Sequence, residues 1–187
     1  MHCTTYALLV FLTVTLINCV PFATDNENLD QQAMLHRGLP SCSIWYWSQP
    51  NPEILLAKTL KPPCNISPTF PSTLPGGWSV DPGCDASQQP NTCDLHKGAY
   101  GCYRSALSTT GPGAQACYDK NGQWISDPWK GAGTLDAETP LGDIIQEAKH
   151  VVADVLPYYS CCKTSIFFQT YNCNHYYEKR PPGQCQN

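Results

Sequence analysis

Residues Gln115–Ile125 (QACYDKNGQWI) and Leu141–Leu156 (LGDIIQEAKHVVADVL) decide the fold class. In the first, Asn121-Gly122 tolerates positive φ between two segments able to pair, which signals a tight β-hairpin. In the second, Ile144, Ile145, Ala148, Val151, Val152 and Val155 recur at helical spacing. That pattern predicts an amphipathic helix with these residues on one side, ended by Pro157. A hairpin and a helix in one cysteine-rich chain imply an α+β domain. We expect a small antiparallel sheet, about three short-to-medium helices and long proline-rich loops.

The rest of the chain extends this outline. Between Leu39 and Cys84, prolines such as Pro50, Pro52, Pro62, Pro63, Pro68, Pro71, Pro75 and Pro82 remove donors and block helix, which predicts extended loops. Inside that region Ile44-Trp45-Tyr46-Trp47 reads as a strand, its aromatic trio either buried or forming a binding patch. Pro52–Leu60 reads as a short helix opened by Pro52. His96–Leu107 places Ala99, Cys102, Ala106 and Leu107 at helical spacing and stops before Gly111-Pro112. Tyr171–Lys179 predicts a short helix before Pro181-Pro182.

The compartment is read from the first residues. Tyr6–Ile17 (YALLVFLTVTLI) is an apolar run of signal-peptide length, too short for a bilayer that needs about twenty residues. Ile17 and Cys19 place cleavage after Cys19, and Asn18 departs from a bacterial lipoprotein box. Residues 20–38 are polar and aperiodic, a mobile leader, and residues 39–187 form the folded domain. No later run is apolar enough to anchor the chain, and the end Arg180–Asn187 is polar. The product is expected in the extracellular space.

Without Cys3 and Cys19, ten cysteines remain: Cys42, Cys64, Cys84, Cys93, Cys102, Cys117, Cys161, Cys162, Cys173 and Cys185. An even number in an oxidising compartment reads as a disulfide framework whose connectivity stays open. Zinc would want closely spaced C-x₂-C pairs, and the sequence has none. The adjacent Cys161 and Cys162 should reach two different partners. The net charge of −4, with no basic run, argues against nucleic acid or anionic membranes as partners.

Catalytic chemistry finds little support. His150 and Asp154, four apart on the predicted helix, share one face. They could be a metal pair completed by His175, a general base with its orienting carboxylate, or an ion pair that docks the helix. There is no G-x-S-x-G, and no cysteine is left as a free thiolate. We therefore expect no enzyme and no cofactor, with a metal-dependent hydrolase using His150 and Asp154 as the remote alternative. Recognition should come from surface aromatics among Trp124/Trp129, Tyr158/Tyr159 and Tyr176/Tyr177. Asn65-Ile66-Ser67 is an N-glycosylation sequon, with Pro68 following it.

A longer ordered pattern runs through the second half. Cys102-Tyr-Arg-Ser105 is followed by Gly111-Pro-Gly-Ala-Gln-Ala-Cys-Tyr-Asp119, Gly122 and Gly131-Ala-Gly-Thr134. His150, Asp154-Val-Leu-Pro157, Cys161-Cys162, Cys173, Arg180-Pro181 and Cys185 continue it. This pattern resembles the AMOP domain, an extracellular module of membrane mucins, sushi-domain receptors and isthmins. The resemblance implies a non-enzymatic, adhesion-associated domain in a free-standing copy. Its partner would be an extracellular protein or a cell-surface receptor, and the chain would act in adhesion or as a soluble ligand or matrix component. A structural or defence protein without a defined receptor is the alternative. Against the family pattern, one cysteine is missing at Ala116 and one near Ile44. Their joint loss implies that these two positions lie close in space and are bridged in relatives.

Overall fold

The computed structural model describes residues 41–106, 111–139, 143–163 and 169–187. The signal-peptide and leader expectations, and those for Leu39, Pro40, Leu107 and Leu141, lie outside the described residues. The fold is α+β: one antiparallel sheet with four helices around it, and ten cysteines in five pairs at disulfide geometry.

Two strands form the middle of the sheet. They are β3 (Gly101–Ala106) and β4 (Gly113–Tyr118), paired from Gly101↔Tyr118 to Ala106↔Gly113. The sheet is a meander in chain order, with β1 (Thr73–Leu74) and β2 (Trp78–Val80) on one side and β5 (Leu135–Asp136) on the other. Every residue of β4 is buried, and such strands carry no alternating pattern. Hence the helical spacing in His96–Leu107 misleads, because a strand buried on both faces and a helix look alike over six residues. Cross-strand pairing settles the matter: Cys102 stands opposite Cys117 and is joined to it, with Cα atoms 4.1 Å apart.

The expected hairpin turn follows β4. Asp119 N–H donates to Gln123 O at 2.9 Å, Tyr118 bridges to Trp124, and Gly122 has φ +79°. A side chain at residue 122 would also place a Cβ 2.3 Å from Ile66 O. Gly133 has the same role beside the sheet, where a Cβ would lie 2.0 Å from Gln115 O.

The helices correct three expectations. Ile44–Trp47 is not a strand but part of α1 (Cys42–Ser48). Ser41 Oγ accepts from Ile44 N–H, and this N-cap overrides the β-propensity of the aromatic residues. Pro52 opens α2 as expected, with Asn51 as its cap, although α2 ends at Leu56 and not Leu60. The third helix, α3, runs through Pro157 without ending. It spans 144–163 as Ile144–His150 in α form, Val151–Val155 in π form, Leu156–Tyr158, and Tyr159–Lys163 in π form. The wider π turns absorb the residue that cannot donate. Helix α4 is Gln169–Lys179.

Helix α3 is amphipathic in the opposite sense to its sequence reading. Ile144, Ile145 and Val152 are exposed, while Gln146, His150 and Asp154 are buried. The core therefore divides into a sheet cluster around Trp78, Tyr103, Ala116 and Tyr118, and a helix cluster around Trp45, Tyr176 and four cysteines. Ala116 belongs to the first cluster and is wholly buried, whereas Ile44 is exposed on α1. A bridge needs Cβ atoms about 4 Å apart, and the two positions belong to different surroundings, the sheet core and an exposed helix face. The expected proximity of Ile44 and Ala116 finds no support in their burial.

Candidate functional site

The charged residues that a surface reading would scatter converge between the sheet and α3. Asp81 follows β2, Arg104 is on β3, Gln115 on β4 and Asp136 on β5. Arg104 Nε donates to Asp81 Oδ2 at 2.7 Å and its Nη1 donates to Asp136. The Gln115 amide donates to Asp81, whose other oxygen accepts from Gly83 N–H at 2.8 Å.

His150 and Asp154 join this set from α3. Asp154 accepts the N–H groups of Ala137 (3.0 Å) and Glu138 (3.1 Å), which fixes the chain after β5 to the helix. His150 Nδ1 donates to Glu138 O at 2.9 Å and lies 3.3 Å from Asp154 Oδ2. Arg180, just past α4, donates Nε to Asp154 Oδ1 at 2.6 Å and Nη2 to Gln49 at 2.8 Å. Pro157 has no N–H for the carbonyl of Ala153, four residues before it, and Arg180 Nη2 donates there at 3.2 Å. The guanidinium also lies over the Trp45 ring, 5.2 Å from its centroid. Asp154 is thus the hub through which α3, α4 and the sheet are held. The ion-pair reading of His150 and Asp154 matches this geometry, with the pair fully inside.

Three carboxylates (Asp81, Asp136, Asp154) face two guanidinium groups, so one more proton makes the set neutral. Burial pushes the Asp136 carboxyl up to about 6, against the pull of Arg104. Burial opposes a charged His150, but its hydrogen bond to Asp154 and the charge of Asp136 outweigh that and raise its pKa. Asp154 is held below the usual carboxylate range: burial would raise it, and the contacts from His150 and Arg180 overcome that. His96, hydrogen-bonded through Nδ1 to Ala132 O at 2.8 Å, is driven down to about 4 by burial and stays neutral.

Asp136, His150 and Asp154 bring one ligand atom each within 4.8 Å of one another, an acceptable start for a metal site. Their donors are already engaged, however: Asp136 by Arg104, Asp154 by Arg180 and two N–H groups, and His150 Nδ1 by Glu138 O. A proton neutralises the set without breaking these bonds. His175, the expected third ligand, instead stacks on Tyr46 with ring centroids 4.4 Å apart. The adjoining cavity is about 30 Å³, lined by Gln115, Asp136, His150, Asp154 and Tyr176 among others, with room for a water or two and no substrate.

The cysteine pairs are Cys42–Cys161, Cys64–Cys185, Cys84–Cys93, Cys102–Cys117 and Cys162–Cys173. Cys161 ties α3 to α1 and Cys162 ties it to α4. The aromatic candidates divide between inside and outside. Tyr176 is buried and Tyr177 half-buried, while Trp129 is exposed against the edge of Tyr177 at 5.5 Å. Tyr158 is half-buried beside exposed Tyr159, and Trp124 is half-buried. In α1, Trp45 is buried and stacked on Tyr176 at 5.5 Å, while Trp47 points outward. Sequence reasoning missed Arg104, Asp81, Asp136 and Arg180 as network members. Their one signal is that a long basic side chain can be buried only with acids around it. Asn65 and Ser67 are exposed. No helix among the described residues is long and apolar enough to cross a membrane.

Comparison with known proteins places this arrangement. Protein mesh of Bombyx mori is 29 % identical over 123 residues, which is 59 % of this chain and 8 % of that protein. The chain thus spans a small part of that relative. No solved structure matches. The family model for the AMOP domain matches residues 38–187, a stretch that contains all ten paired cysteines, the Asp154 hub and Arg180. The chain belongs to the AMOP domain family, whose members are non-enzymatic, adhesion-associated modules of extracellular proteins.

Proposed function

We propose that the chain is a secreted interaction module that binds an extracellular protein or cell-surface receptor, in adhesion or as a soluble ligand or matrix component. The observation that carries this reading is Trp47, 82 % exposed on a helix that cannot easily move. Helix α1 is fixed by Cys42–Cys161 and by Trp45 stacked on Tyr176. Trp47 rests edge-on against Tyr46 at 5.2 Å, and Ile44 lies exposed one turn before it. Tyr46 is itself held by its hydroxyl donating to Glu178 at 2.7 Å and by Lys179 above its ring. A rigid aromatic anchor of this kind loses little entropy on binding and can supply about 2 kcal/mol or more.

Export with removal of residues 1–19 and a glycan on Asn65 belong to the same reading, supported by the apolar N-terminal run and by the exposure of Asn65 and Ser67. The reading includes no turnover at the His150–Asp154 pair, which serves the interior beside a cavity of about 30 Å³. A structural or defence role without a receptor differs in one measurable respect. Labelled protein should bind cells saturably, and Trp47→Ala should weaken that binding about tenfold or more while the melting curve is unchanged. Binding that is non-saturable, or indifferent to Trp47→Ala, would refute the proposed surface.

A further inference from the structure

The side of α3 that faces away from the charge network is apolar. Ile144 is 83 % exposed, and Ile145 and Val152 are each 66 % exposed, with Ala148 exposed between them. Residues 144, 148 and 152 are four apart and 145 lies three before 148, so all four share one face. These side chains are not core residues pushed outward by a crowded interior, because the opposite face buries Gln146, His150 and Asp154. Asp143 caps the helix through the N–H groups of Ile145 and Gln146, so the stripe begins at an ordered end.

The charges beside the stripe indicate what covers it. Glu147 and Lys149 are exposed and flank Ala148, one residue to either side and therefore on opposite edges of the stripe. Two such stripes pressed together with helices parallel bring the left edge of one against the right edge of the other. With helices antiparallel, each edge meets its own copy. Parallel packing thus sets Glu147 against Lys149 twice, and antiparallel packing sets like charge against like. The face is complementary to itself in one orientation only.

We propose that this face of α3 is a homodimer interface in which two copies pack their helices parallel about a two-fold axis. The stripe Ile144, Ile145, Ala148 and Val152 forms its centre, and reciprocal Glu147–Lys149 pairs form its rim. A closed isologous contact of this kind leaves Trp47 on a different helix and available to another partner.

The full disulfide-bonded chain should show, by sedimentation across a concentration series, a reversible shift from monomer mass to twice that mass. Ile145→Asp with Val152→Asp should weaken association about thirtyfold or more, and a melting curve like that of the parent would show that the fold survives. The charge rim gives a test that needs no apolar change. Glu147→Lys alone and Lys149→Glu alone should each be monomeric, since each makes both edges alike. An equimolar mixture of those two variants should associate, and so should the chain carrying both substitutions. A parent chain that stays monomeric at every concentration would overturn the proposal. So would a dimer that persists in Ile145→Asp/Val152→Asp, or single charge variants that self-associate as well as the parent.

Discussion

Arg180→Met tests the hub directly. The guanidinium is 1 % exposed and serves four groups: Asp154, Gln49, Lys179 O and the Ala153 carbonyl that Pro157 leaves without a donor. Methionine keeps much of the apolar contact with Trp45 and removes every donor. Breaking a buried ion pair from one side costs about 3–5 kcal/mol, and an unsatisfied buried carbonyl adds about 1–3 kcal/mol. Relaxation overlaps these two costs, so the expected loss is about 4–6 kcal/mol. In a domain of this size each kcal/mol moves the midpoint by about 2–4 °C, so Tm should fall by about 10–20 °C. Two companions apportion the loss. Asp154→Asn in the Arg180→Met background should recover part of it, because no bare charge is then buried. Pro157→Ala should also recover part, by restoring a donor for Ala153 O. An Arg180→Met chain that melts within 2–3 °C of the parent, an effect of about 1 kcal/mol, would refute the assignment of Asp154 as the hub.

Stability should be greatest near neutral pH and fall on both sides, because His96, lowered from 6.5 to about 4, loses stability as pH falls over that interval and offsets what Asp136 gains there. His150 has a raised pKa, so its contribution is complete below its ordinary value of 6.5 and is lost as pH rises through the folded value. Asp136, raised from 3.8 to about 6, also loses stability as pH climbs over that interval. Asp154 and Asp81 are lowered, so theirs is present above 3.8 and lost as pH falls through their folded values. Melting midpoints measured from pH 3 to 9 should show this arch, and His150→Gln should flatten its alkaline side. Reduction should unfold the domain at body temperature, because a bridge in a secreted domain contributes about 2–5 kcal/mol. A circular-dichroism melt indifferent to reductant would contradict this.

Most of the element positions were legible, and the failures have separate causes. The Asn121-Gly122 turn and α4 followed from local chemistry, since positive φ and a trailing Pro-Pro pair need no distant partner. Strand β3 was read as helix because both its faces are covered and no period remains. Helix α1 was read as a strand because three aromatic residues outweighed one capping serine. For α3 the period was right and the face was wrong. The inward turn of Gln146, His150 and Asp154 depends on Glu138 and Arg180, which lie from eight to 26 positions away along the chain. Local hydrophobicity cannot carry that information. His150 and Asp154 were found as a pair by their spacing, whereas the size of the network they belong to appears only when β2, β3 and β5 lie side by side.

The Cys64–Cys185 bond has a mechanical consequence for a module placed between other parts of an adhesive protein. The residues on either side of it are also joined by backbone bonds, Cys64 N–H to Gln186 O at 2.9 Å and Gln186 N–H to Pro62 O at 2.8 Å. Tension entering near residue 64 and leaving past residue 185 crosses this covalent link and bypasses the 121-residue span it closes. A pull entering before Cys42 divides there, running through residues 42–64 to Cys185 and through the Cys42–Cys161 bond and residues 161–185, so these two segments share the load. Under pull the sheet, which lies between residues 64 and 161, would stay slack, and the two helices α1, bearing Trp47, and α4, which leads to Arg180, would be the parts that feel the force.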